Sequence, residues 1–219
     1  MSNKIRSLEM LVDFLNEQNV WRLKELATLK AEISRATDKT QVTLIRAALP
    51  ILYAHWEGYI KTSSEAYLDY VSSYVSSQRV TSKNLSPIFV ALPLWKEMIQ
   101  SDAPMKFLPF SQKLTPYLAK HDHRIKIPST NTVNSESNLN SNILREICCI
   151  IGIDYKKFET KEKLIDERLL GTRNRIAHGE RRDLTATDYN DLHMQIVDLL
   201  QLFKNLVSNA ASGKAFLLS

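Results

Sequence analysis

Apolar residues recur along the first part of the chain at steps of mostly three and four. Residues 3–35 place Ile5, Leu8, Leu11, Leu15, Leu23, Leu26, Leu29 and Ile33 at this spacing. That is the period of one helix face, so a long amphipathic helix is predicted, bent near Asn19. The stretch "ATDKTQV" interrupts it. Asp38 followed three residues later by Gln41 predicts a capping-box-like start for a second helix. Val42, Ile45, Leu49, Leu52, Trp56, Tyr59 and Ser63 then follow a three-four alternation, the seam of helices packed side by side. This second helix is predicted to run to about Ser77, with Pro50 kinking it or freeing a carbonyl near Arg46, and with a frayed end at "YLDYVSSYVSSQ".

The pattern loosens in the middle. Pro87, Pro93, Pro104, Pro109 and Pro116 divide residues 82–128 into short pieces. The polar run "STNTVNSESNLNSN", residues 129–142, predicts a surface loop or a helix lead-in, because its short side chains bond their own backbone. A short buried helix over 143–151 should stop at Gly152. Thr160 is placed to cap a helix whose inner face is Ile165, Leu169, Thr172 and Ile176 and which ends near Gly179. Thr185 with Asp188 opens the last helix, with Tyr189, Leu192, Ile196, Leu199, Phe203 and Val207 on one face. The sum is an all-α bundle of four to five main helices with an irregular middle segment. Residues 1–37 form a helix packed on a core domain at 38–210, and 211–219 are a tail.

Composition narrows the class. The 219 residues are 44% hydrophobic and 24% charged, as in ordinary globular proteins. Only 5 glycines and 7 prolines occur, too few for an architecture of many short strands. The two cysteines, Cys148 and Cys149, are adjacent. They offer neither a disulfide framework nor metal-ligand spacing, and read as small buried hydrophobes. The start "MSNKIRSLEM" does not read as a signal peptide, and no apolar run approaches the roughly 18 residues of a membrane span. A cytoplasmic, reducing compartment is expected. The net charge is +5, which permits an acidic partner without requiring one.

The distribution of charge is more informative. "GTRNRIAHGERR", residues 171–182, gathers four arginines around one histidine. Arg173 and His178 are five residues apart, which on an ideal helix means roughly 7.5 Å of rise and about 140° of rotation. They converge only at an unwinding helix end or across two copies of the helix. Cleaving RNA without a metal needs a group to take the 2′-hydroxyl proton and one to protonate the departing oxygen, and histidine does either near neutral pH. A guanidinium gives the charged phosphorane a bidentate fork. Asn174 would orient one of the two or hold a phosphate oxygen, while Arg175, Arg181 and Arg182 would attract the polyanion. A solvated basic face at a helix C-terminus accounts for the same residues. Spacing alone leaves both readings open.

The segment "RNRIAHGE", preceded by "LIDERLLGT", resembles the signature of the HEPN superfamily, an Arg with a following polar residue and a His four to six residues on. Here these are Arg173, Asn174 and His178. "LIRAALPILYAHWEGYIK" (44–61) and "SNLNSNILREICCIIGID" resemble the first core helix and the middle helix of its stand-alone MAE-type nucleases. The resemblance implies a helical bundle, a homodimer with its two Arg/His motifs facing each other, and metal-independent endoribonuclease activity without a cofactor. It also implies a toxin or phage-defence setting, with an antitoxin or defence protein as partner. Glu57 on the first core helix is the acidic residue expected to face the motif, with His55 behind it. Tyr53, Trp56 and Tyr59 read as core. A non-catalytic module that binds a nucleotide or a protein is the competing reading. A DNA-binding or scaffold role is disfavoured by the lack of a short helix-turn-helix with a basic recognition helix.

Overall fold

The computed structural model describes residues 4–99, 122–133, 138–180 and 184–218. Among these the chain is all-α, with only isolated bridges pairing Thr81 with Arg124 and Leu85 with Leu217.

Three long helices build the bundle. Helix α1 spans Leu8–Arg35 as one element, and the Ser7 side chain caps it by accepting from the Met10 N–H at 3.1 Å. Helix α2 spans Asp38–Ser77 and continues through Pro50. Helix α6, Ala186–Ser212, begins in a full capping box in which Thr185 and Asp188 satisfy each other's backbone N–H groups. The three pack against one another. The predicted faces are largely the buried ones: Leu11, Leu15, Leu26 and Ile33 on α1, Ile45 through Tyr59 on α2, and Tyr189 through Val207 on α6, while Val42 in the first turns of α2 lies exposed beyond the packed region. Helix α2 is buried on more than one side because α1, α6 and the motif-bearing helix all lie against it.

The start of α2 differs from expectation. Thr37 occupies the N-cap without a side-chain bond, and Asp38 takes the left-handed conformation at φ 51°. Gln41 does not close a capping box. Its Nε2 donates instead to the carbonyls of Ile33 and Ala36, satisfying the end of α1. The tight α1–α2 corner brings those carbonyls closer to Gln41 than any N-terminal donor.

After α2 come a 3₁₀ turn at Ser82–Asn84 and α3, Pro87–Ile99. Phe216, from the segment after α6, packs edge-on to Tyr70, Tyr74 and Phe89 at centroid distances of 6.0, 5.1 and 6.4 Å. Ser86 donates to the Phe216 carbonyl, fastening the chain's end to the start of α3. Helix α4, Ser141–Ile150, is capped by Asn140 and stops before Gly152 at φ 68°. Cys148 is buried there, and burial pushes its thiol up to about 12. Cys149 is exposed, against the expectation that both are buried, because it lies on the outer side of this amphipathic helix. No helix among the described residues is long and apolar enough to cross a membrane.

Candidate functional site

The motif stands on a segment that is not one α-helix. Asp154, rather than Thr160, supplies the cap, accepting from the Lys156 N–H at 2.9 Å, and a 3₁₀ helix follows at Tyr155–Lys161. Leu164–Leu170 then form a π-helix, in which Gly171 donates to the Asp166 carbonyl five residues back. Asp166 also accepts from the backbone N–H and the hydroxyl of Ser141 at 2.6 and 2.5 Å, locking the π-helix to the first turn of α4. The wide turn resets the phase with which the next helix meets α2. That helix, α5, spans Gly171–Ala177 and carries Arg173, Asn174 and Arg175.

Helix α5 ends in a Schellman motif. Gly179 donates to the Ile176 carbonyl and Glu180 to the Arg175 carbonyl, both at 3.0 Å, with Gly179 at φ 79°. His178 is the C-cap residue. Its backbone leaves the helical region at ψ 8° and its side chain is exposed. Arg46 on α2 donates to the Glu180 carbonyl at 2.7 Å and fixes this end to the bundle.

Asn174 links the two halves of the motif. Its side-chain oxygen accepts from the Arg173 Nη1 at 2.7 Å, and its carbonyl accepts from the His178 N–H at 3.0 Å. Its amide reaches the Asn138 side chain at 3.5 Å. The half-buried Arg173 guanidinium lies over the Tyr53 ring, 4.7 Å from its centroid. Tyr53 lies in the buried face of α2, and its hydroxyl accepts from the Leu139 N–H at 2.6 Å. Burial first, and Glu57 second, raise the phenol well above its ordinary value of 10.0. Glu57 is one turn beyond Tyr53 on the same face.

The structure therefore gathers Arg173, Asn174 and Glu57 around Tyr53, with His178 exposed at the end of the same helix. Arg175 is about 200° around α5 from Arg173. It donates from Nε to the Gly171 carbonyl at 3.3 Å and lines a separate cavity of about 290 Å³ with Arg168, Glu167 and Asp188. Arg181 and Arg182 lie outside the described residues. His55 faces away from the motif. It is buried against α1, with Nε2 3.1 Å from Glu25 and its ring edge-on to Trp21. Trp56 and Tyr59 are core, as read. Sequence reasoning missed the part taken by Tyr53 and Asn138. The usable signal for Tyr53 was its i, i+4 relation to Glu57.

Comparison with characterised proteins and with solved structures returned no match. A family model, described as RiboL-PSP-HEPN, matches residues 17–209. The match runs from within α1 to near the end of α6, so it takes in most of α1, all of α2, nearly all of α6 and the whole Arg173–His178 segment. The chain is a member of the RiboL-PSP-HEPN family within the HEPN superfamily.

Proposed function

We propose that this protein is a metal-independent endoribonuclease that acts as a homodimer. The observation that carries the reading is the pairing on one helix of a guanidinium held from two sides and an exposed histidine, whose backbone N–H is bonded to the carbonyl of the same Asn174. Arg173 would clamp the scissile phosphate and offset the charge that grows on it. His178 would move protons. The 2′-oxygen attacks phosphorus and gives its proton to one imidazole. The bond from phosphorus to the 5′-oxygen breaks, and that oxygen takes a proton from a second imidazole. A 2′,3′-cyclic phosphate and a 5′-hydroxyl remain. One chain supplies one His178, so two copies of α5 related by a two-fold axis would complete the acid–base pair. Glu57 would act through Tyr53, and Arg175, Arg181 and Arg182 would attract the RNA backbone. An RNase of this kind fits a toxin or phage-defence effector held in check by a partner protein.

The test is incubation of the purified protein with total RNA and with tRNA, with and without EDTA. Cleavage that survives chelation and leaves cyclic phosphate ends is expected. Cleavage that disappears with EDTA and returns with magnesium contradicts the reading.

A further inference from the structure

We infer that Tyr53 is the positioning residue that orients the Arg173 guanidinium, through the face of its ring. The inference rests on the reading of Arg173 as the phosphate clamp.

Tyr53 belongs to the buried face of α2, where Leu49, Leu52 and Trp56 are purely packing residues. A leucine or phenylalanine would fill the same space. The tyrosine differs in its hydroxyl, which accepts from the Leu139 N–H at 2.6 Å. The bond holds the tip of the side chain, and full burial of the ring holds its plane. The direction of its π face is thereby fixed. Arg173 lies against that face at 4.7 Å, and its Nη1 is held from the side by the Asn174 oxygen at 2.7 Å. A long side chain with several rotatable bonds is thus restrained in both the height and the rotation of its planar end. Restraint matters at this group, because a charge that need not reorganise stabilises a transition state better than a mobile one.

The π face can be weakened without changing the shape of the side chain. In the full-length protein, Tyr53→Phe serves as the reference, followed by phenylalanines with one, two and three ring fluorines at position 53. Fluorine drains the face that attracts the cation while the core stays filled. The expected result is a stepwise fall in kcat for RNA cleavage, about tenfold across the series, with KM and circular dichroism unchanged. A packing role would give a flat series. A flat series with Arg173→Ala inactive overturns this inference and leaves Arg173 as the clamp. Arg173→Ala cleaving like the parent protein overturns the reading of the site and this inference with it.

Discussion

Arg46 on α2 donates its Nη1 to the carbonyl of Glu180 at 2.7 Å, across 134 residues of sequence. The bond anchors the turn that follows His178 to the rigid centre of the bundle. Arg46→Met should loosen that turn, because the Glu180 carbonyl just past α5 loses its donor. The bond lies at the surface, so stability should fall by about 1 kcal/mol or less. RNA cleavage should fall by a larger factor than that loss implies, and assays at matched folded fraction by circular dichroism would show it.

Gly179 is needed for its backbone and not for lack of space. A Cβ added there meets nothing within 4 Å, yet the residue sits at φ 79°. Gly179→Ala should therefore cost about 1 kcal/mol from conformation alone. Gly179→Asn should cost less, since asparagine tolerates the left-handed region. Urea denaturation of the two variants would order them.

How much of this was legible in the sequence depends on the element. The α6 face and its Thr185–Asp188 box were read correctly because the helix is regular and its cap is local. The end of α2 at Ser77 and the stop at Gly152 follow for the same reason, but the end of α2 is not frayed: Tyr67, Leu68, Tyr70, Val71 and Val75 hold it in the core. The 3₁₀ and π segments before α5 were not, since a search at a period of 3.6 sees neither. Gln41 was misassigned because its partners belong to the preceding helix. The motif itself was legible, but its support was not. Tyr53 meets Leu139 and Arg173 only after the chain folds, and its one local cue, the i, i+4 relation to Glu57, points to neither of them.

Asp166 joins α4 to the π-helix through two bonds to Ser141. Asp166→Ala should leave the Ser141 N–H and hydroxyl at the start of α4 unmatched, a loss of about 2 kcal/mol. Asp166→Asn keeps acceptor capacity and should lose less. Melting temperatures of the two variants against the parent protein check the order.

Two buried imidazoles set a pH dependence of stability. Burial lowers the pKa of His55, assisted by Arg22 and opposed by Glu25, and burial with Lys30 lowers that of His193. The folded chain thus prefers both rings neutral. As pH falls below about 6.5 the unfolded chain takes up these protons first. The stabilisation is complete above about 6.5 and is lost as pH falls toward the depressed folded values. Melting temperature should drop between pH 7.5 and 5.5, and the double variant His55→Gln/His193→Gln should flatten that drop. A melting temperature that rises on acidification contradicts the assignment.

The proposed acid–base pair requires two chains. Light scattering at micromolar concentration should report a dimer. A monomer that retains full RNA cleavage would rule out the two-fold site.

Arg173→Lys should rescue little of the activity lost in Arg173→Ala, because an ammonium cannot present the planar fork that a phosphate accepts. Loss of one preorganised donor of this kind costs about 10²- to 10³-fold in kcat. Steady-state kinetics on a defined RNA would separate that loss from any change in KM.

The measurement that bears most directly on the account is single-turnover cleavage, in EDTA, of a labelled RNA that the parent protein cuts, comparing parent and His178→Ala. His178 is exposed at a helix end, so its removal should leave circular dichroism and dimerisation unchanged. The account predicts a rate lowered by about 10²- to 10⁴-fold, the contribution of a positioned proton-transfer group. A His178→Ala protein that cleaves at the parent rate would show that the basic cluster of α5 is a solvated surface and not a catalytic site.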